Sequence, residues 1–334
     1  MYSQFEDVIV RGVATVLPVN EIDNEKFAEY FGAETVKKQM RLTGITKRRT
    51  VSEGQTALDL AVSAGEKVLA HANWLANEVD VLVFASGYRK YNIPSSSVIA
   101  HHLLKGKRDC LCFDINLACT GTVDGLYTVV SLLKQLNRKA KGLLLIGETP
   151  TLGGDDEDKS ISMLPCDCGS AMAIEIDDDG KMMRFGQMTD GNKYHILTRK
   201  SKESSIFMDG MEVFQFAITD AVNKMKEFLE HFSVDIDSID CFITHQAQKF
   251  IVDKVSLFAG FPKDKVFRSY HLFGNTGGSS DICTLCVNRK ELHNGERCIF
   301  MTGFGAGVSC GIVLFKMNTT DILPIEYSEQ IWGD

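Results

Sequence analysis

Residues 114–126 read DINLACTGTVDGL, and the fold follows from how this run and the residues just before it divide. Residues 111–115 form a compact apolar stretch ending in a turn, the mark of a buried strand. After the turn, Val123, Leu126, Val130 and Leu133 fall at three- and four-residue spacing, which predicts a helix with one buried face. Cys119 stands where strand gives way to helix. Unpaired N–H groups and the positive end of the helix dipole favour a thiolate over a thiol at such a place. Ala118, Thr120 and Gly121 are small and leave the sulfur approachable. Taken alone, the stretch fits a buried, inert cysteine equally well.

The strand–helix alternation extends outward on both sides. Residues 8–16 predict a first strand ending at Leu17-Pro18, residues 24–40 a polar helix, and residues 56–75 a long helix with one apolar stripe. Residues 79–85, VDVLVFA, predict a strand covered on both faces. A loop over 86–97 leads into a helix through Leu104; strands follow at 142–147 and 171–176, separated by an acidic, Gly-containing exposed loop at 151–159. The basic run Lys47-Arg48-Arg49 reads as a solvated face.

The second half repeats the order of the first. Residues 239–245 echo 79–85, residues 266–271 echo the strand before Cys119, and 297–302 and 311–316 echo 142–147 and 171–176. A duplicated strand–helix unit predicts an α/β fold: two mostly parallel sheets, helices on both sides and one helix layer shared between them, five layers α-β-α-β-α. The halves are expected at residues 1–178, carrying Cys119, and 179–334, carrying His245 and Asn275. No Pro-, Gly- or Ser-rich linker separates them, which predicts one interlocked globule.

The chain has 334 residues, 44% hydrophobic and 24% charged, ample for a large core. A net charge of −8 argues against nucleic acid or an anionic membrane as a bulk electrostatic partner. An acidic carrier domain docking on a local basic patch remains compatible with it. The N-terminus, MYSQFEDVIVRG, carries no positive segment followed by an apolar run, and no apolar stretch reaches spanning length. With ten cysteines, these features predict a protein of the reducing cytoplasm. The close pairs Cys110/Cys112, Cys166/Cys168 and Cys283/Cys286 lack a second pair or a His at a typical zinc spacing. They read as structural cysteines, and no metal is expected.

Two later stretches bear on Cys119. Thr244-His245-Gln246-Ala247-Gln248 places His245 where a buried strand ends and a helix begins, a position from which side chains reach into sites. Phe273-Gly274-Asn275-Thr276-Gly277-Gly278 is a Gly-rich turn before a helix, without the lysine or spacing of a phosphate-binding loop. Alone, His245 also fits a local hydrogen-bond network and Asn275 a turn residue.

Together these residues resemble the thiolase superfamily, most closely the β-ketoacyl-acyl carrier protein synthase III group. The resemblance runs through Thr43-Gly44-Ile45, Ile93-Pro94-Ser95, the Cys119 unit, Asp167-Cys168-Gly169, Gly210-Met211-Glu212, His245-Gln246-Ala247, Gly274-Asn275-Thr276 and Gly303-Phe304-Gly305-Ala306-Gly307. It implies a condensing enzyme with catalytic Cys119, His245 and Asn275. Cys119 takes an acyl group from a thioester. Its N–H, with an N–H from the Gly305-Ala306-Gly307 turn, forms the oxyanion hole. His245 and Asn275 then stabilise the enolate left when a malonyl thioester loses carbon dioxide. Coenzyme A or phosphopantetheine thioesters are substrates, no cofactor is required, and the family implies a homodimer.

The departures gather on the carrier side. Lys38 lies near the place of a family Trp, Leu42 replaces an Arg, Met211 replaces an Asn, and Gln248-Lys249-Phe250 stands where Asn, a variable residue and an Arg are usual. Lys249 and Lys254 are candidate replacement charges, equally readable as solvated surface. Met211, Phe304 and Ile93 complete the expected substrate- and carrier-binding set. In the family the residue at the position of Ile93 crosses the dimer. A specialised carrier-bound donor is the expectation. Acyl transfer from Cys119 to a hydroxyl or amine, or a non-catalytic partner subunit, remain alternatives.

Overall fold

The computed structural model describes residues 1–152, 158, 161–200 and 206–332, so most of the expected acidic loop lies outside the described residues. The first half runs β1 (Tyr2–Pro18), α1 (Ala33–Thr43), α2 (Ala57–His71), β2 (Val81–Ala85), α3 (Ser96–Leu103), β3 (Leu111–Ile115), α4 (Gly121–Gln135), β4 (Ala140–Glu148) and β5 (Cys168–Ile176). The second runs β6 (Lys181–Thr189), α5 (Val222–His231), β7 (Cys241–Thr244), α6 (Lys249–Ala259), α7 (Ser280–Val287), β8 (Glu296–Gly305) and β9 (Ser309–Asn318). A last strand, β10 (Glu326–Ser328), pairs with the end of β1.

The strands lie in the order β7-β8-β9-β6-β1-β5-β4-β2-β3, with β10 beside β1. The halves correspond, β2-β4-β5-β1 in the first and β7-β8-β9-β6 in the second. In each, one strand runs against its neighbours: β5 is antiparallel to β4 and β1, and β9 to β8 and β6. The expected pair of separate sheets is corrected to one continuous sheet. β1 is the reason, because residues 8–16 pair with β5 while residues 2–8 pair with β6 across an irregularity at Asp7.

Two predicted elements come out differently. The helix expected over 24–40 breaks at Gly32, whose φ of 78° no helix accommodates. The strand expected over 266–271 shrinks to a single bridge, Phe242 with Val266. Its backbone is occupied otherwise: Gln246 Oε1 accepts from the Ser269 N–H at 2.9 Å, and a helical turn, Tyr270–Phe273, follows.

Strand alternation sorts the buried runs into layers. In β2, Val81, Val83 and Ala85 enter a middle core while Leu82 and Phe84 enter an outer one; in β4, Leu144 and Ile146 divide in the same way from Leu143 and Leu145. The middle core takes Val123, Leu126, Val129, Val130 and Leu133 of α4 together with Ile282, Leu285 and Cys286 of α7. α2 covers the first half-sheet from outside with Leu58, Ala61, Val62, Val68 and Leu69. α5 and α6 cover the second with Met225, Phe228, Val252 and Val255. Five layers result, with α4 and α7 shared.

Close approach of α2 to β5 depends on Gly169, where an added Cβ would sit 2.2 Å from the Leu60 carbonyl carbon. Gly169→Ala lowers unfolding stability by about 1–3 kcal/mol through overpacking. Gly191→Ala, at an open position, stays within about 0.5 kcal/mol of the parent. Urea unfolding of both variants is the check.

Candidate active site

Cys119 occupies a single turn, Ala118–Thr120, between β3 and α4. The turn is tight, with Ala118 at φ 45°. It is pinned on one side by Thr120 Oγ1 donating to the Leu117 carbonyl at 3.0 Å and by Thr122 Oγ1 donating to the Gly278 carbonyl at 2.5 Å. On the other side the end of β8 closes over it. A Cβ on Gly303 would stand 2.5 Å from the Cys119 carbonyl oxygen, and one on Gly305 3.0 Å from Sγ. Only glycine fits at these two places.

The backbone N–H groups of Cys119 and Ala306 both point at Sγ, and each favours its charged form. Burial, with the charges of Glu148 and Asp281 behind it, outweighs them and pushes the thiol up to about 12. The resting thiolate expected from the helix terminus is thereby corrected to a thiol, since desolvation exceeds the dipole.

His245 follows β7, its N–H donating to the Thr302 carbonyl at 2.8 Å. It is buried, its Nδ1 lies 2.9 Å from Ser280 Oγ, and its ring meets Phe304 edge to face at 5.8 Å between centroids. Ser280 Oγ accepts the Gln246 N–H at 3.4 Å. With the Ser280 hydroxyl as donor to His245 Nδ1, the ring proton lies on Nε2. Burial pulls the imidazole down to about 4, so it is neutral near pH 7. Asn275 is held by its N–H donating to the Leu164 carbonyl at 2.9 Å, while its Oδ1 accepts the Gly277 N–H, also at 2.9 Å. The amide Nδ2 is left to donate.

Cys119, Asn275 and Ala306 line one cavity of about 940 Å³, together with Tyr88, Asn116, Glu148, Leu164 and Met208. Gly305 backs the cysteine. Phe304, expected among substrate-binding residues, is buried behind His245 and supports that ring. Met211 and Ile93 are exposed, at 75% and 88%. Lys249 pairs with Asp253 at 3.6 Å, and Lys254 lies over the Phe250 and Phe258 rings. These four stand outside the cavity lining.

Sequence reading missed Glu148 because it ends an apolar strand and belongs to no recognised motif. It is buried at the cavity wall, in the space that Gly277 and Gly278 leave open; a Cβ on either would lie 3.0 Å from its side chain. Gly278 N–H donates to Oε1 at 3.4 Å, too weak to offset desolvation, which raises the carboxyl to about 8. Asp281, also buried, is raised to about 8 by the same cause and has no hydrogen-bond partner among the described residues.

Residues 113–191 match the family profile described as 3-oxoacyl-[acyl-carrier-protein (ACP)] synthase III, and residues 229–317 match its C-terminal part. A β-ketoacyl-[acyl-carrier-protein] synthase III of Clostridium perfringens is 31% identical over 323 residues, covering 92% of this chain and 98% of the relative. This chain belongs to the β-ketoacyl-acyl carrier protein synthase III family. The crystal structure of a 3-oxoacyl-(acyl-carrier protein) synthase from Burkholderia xenovorans superposes with a TM-score of 0.93 at 27% identity, covering 98% of this chain and 99% of the other. That of the priming β-ketosynthase from the R1128 polyketide pathway gives 0.84 at 26%, covering 95% and 96%. Synthase III relatives are condensing enzymes, and the chain is an enzyme of that kind. Among the described residues no helix is long and apolar enough to cross a membrane.

Glu148 gives this site a pH signature. Its folded pKa of about 8 lies above the ordinary value near 4.5, so the stability of the protonated form is complete below 4.5 and lost as pH rises through 8. Glu148→Gln is neutral throughout. Its melting temperature therefore gains on the parent's between about pH 5 and about pH 8. Scanning calorimetry at the two pH values reads the gap; a constant gap refutes the assignment.

Proposed function

We propose that the protein forms a carbon–carbon bond by decarboxylative condensation of an acyl group carried on Cys119 with a malonyl-type thioester. The observation that carries this reading is the joint placement of Cys119, Ala306 and Asn275 on one cavity, with two backbone N–H groups aimed at the sulfur. In the first half-reaction Cys119 Sγ attacks the donor thioester, its proton passing to the departing thiol. The tetrahedral oxyanion develops beside the Cys119 and Ala306 N–H groups. In the second, the malonyl thioester loses carbon dioxide, and its carbonyl oxygen takes the negative charge. His245 Nε2–H and Asn275 Nδ2 donate to that oxygen. A neutral imidazole suits this task, because its N–H donates a hydrogen bond without handing the enolate a proton. The enolate carbon attacks acyl-Cys119 and expels its thiolate, which takes a proton from solvent to regenerate the thiol as the β-ketoacyl thioester leaves. No step calls for a metal or redox cofactor.

Phosphopantetheine thioesters, on coenzyme A or a carrier protein, are the proposed donors. An exposed apolar patch supports carrier docking: Met211 beside Phe214, whose ring stacks on half-exposed Phe250 at 5.0 Å, with Lys249 and Lys254 alongside. We also propose a homodimer, supported by the exposure of Ile93 and by β3, a terminal strand of the sheet whose Leu111 is half exposed.

Cys119→Ala abolishes acylation, read as loss of the mass gain after incubation with acyl thioesters. His245→Ala and Asn275→Ala retain loading but release carbon dioxide from malonyl thioesters about 10²–10³-fold more slowly. Normal release in both variants overturns their roles. Lys254→Glu raises KM for a carrier-borne donor while leaving a short pantetheine-type donor unaffected.

A further inference from the structure

Far along the chain from the catalytic residues of the second half, the outer face of β3 meets the end of α3. There the fold assembles a trio that spacing in the sequence does not reveal. Cys110 and Cys112 flank Leu111 at the start of β3, and alternation puts both side chains on the same face, toward the α2–α3 layer. Their sulfurs are 3.7 Å apart. His101, in the last turn of α3, joins them: one ring nitrogen and the two sulfurs lie within 4.8 Å of one another.

These dimensions are those of a thiophilic metal site. Two thiolates on a tetrahedral zinc ion, each about 2.3 Å from the metal, stand about 3.8 Å apart. An imidazole nitrogen on the same ion stands about 3.5 Å from each sulfur, within reach of small χ rotations of half-buried side chains. His101 Nε2 donates to the Lys107 carbonyl at 2.7 Å, which leaves the lone pair on Nδ1 to ligate. A second hydrogen bond of this kind commonly fixes the tautomer of a metal-bound histidine.

We propose that His101, Cys110 and Cys112 bind a zinc-class divalent cation, with water in the fourth position. The ion clips the end of α3 to the terminal strand of the sheet. Binding releases the two thiol protons, and the metal stays at one oxidation state. Catalysis is not part of its role, since neither the cavity nor Cys119 shares a residue with the trio.

The test is titration of the full-length, chelator-dialysed protein with cobalt(II) under anaerobic conditions. One cobalt per chain is expected, with a near-ultraviolet thiolate-to-cobalt charge-transfer band and visible bands of tetrahedral intensity that zinc(II) erases. Cys112→Ser and Cys110→Ser abolish the thiolate band or weaken binding at least about tenfold, whereas Cys119→Ser keeps it unchanged. Zinc(II) also raises the melting temperature of the parent, a readout that survives if a variant does not fold. Absence of the band and of the melting shift in the parent overturns the proposal. So does a band that persists at unchanged affinity in both Cys110→Ser and Cys112→Ser, or one that disappears in Cys119→Ser.

Discussion

The site rests on backbone meeting backbone where no side chain fits. The Cys119 turn is clasped between the end of β8 and the turn before α7, and Gly303, Gly305 and Gly278 each bring their α-carbon to a distance that a Cβ would forbid. The contact joins the two halves at Cys119, so the cysteine from one half and the Asn275 turn from the other are set by the same packing. Because α4 and α7 share the middle core, neither half can shift without moving the turn. The same packing holds the backbone N–H groups of Cys119 and Ala306 against the sulfur.

Within that clasp the electrostatics run against the usual picture of an activated cysteine. A helix N-terminus contributes a fraction of a unit charge, and the thiol here is deeply desolvated with two carboxyls near it. Those carboxyls are themselves raised by burial to about 8. Protonated below that value, they add their charge to the rise of the thiol only at higher pH. Water exclusion shapes all four groups, lifting the acids and the thiol and depressing His245.

Much of the architecture was legible because alternation and helical spacing are strong where faces are buried. The apolar run ending at Ala85 and the stripe from Val123 to Leu133 fixed a central strand and a central helix, and the echo of the first half in the second located the duplicated strands. Legibility failed where side chains replace the ladder. Gln246 satisfies the backbone at Ser269, so an apolar run at 266–267 yields a bridge instead of a strand. It failed again at β1, whose pairing to both halves depends on a bulge that periodicity does not encode. In the site, Cys119, His245 and Asn275 stood out through their motifs. Glu148 did not, because its meaning comes from two glycines about 130 residues away that make room for it.

The double pairing of β1 has a consequence for how the chain is made. Residues 2–16 find their strand partners only once β5 and β6 are made, since Val8 pairs with both Ile176 and Lys181. Until β5 and β6 emerge, an aliphatic strand of 17 residues stays without its sheet. Pairings so distant carry a large loop-closure entropy and close late. Nascent chains are therefore vulnerable during synthesis to association through this segment. The seam that unites the two repeats in the finished molecule is also what ties its maturation to synthesis of more than half the chain.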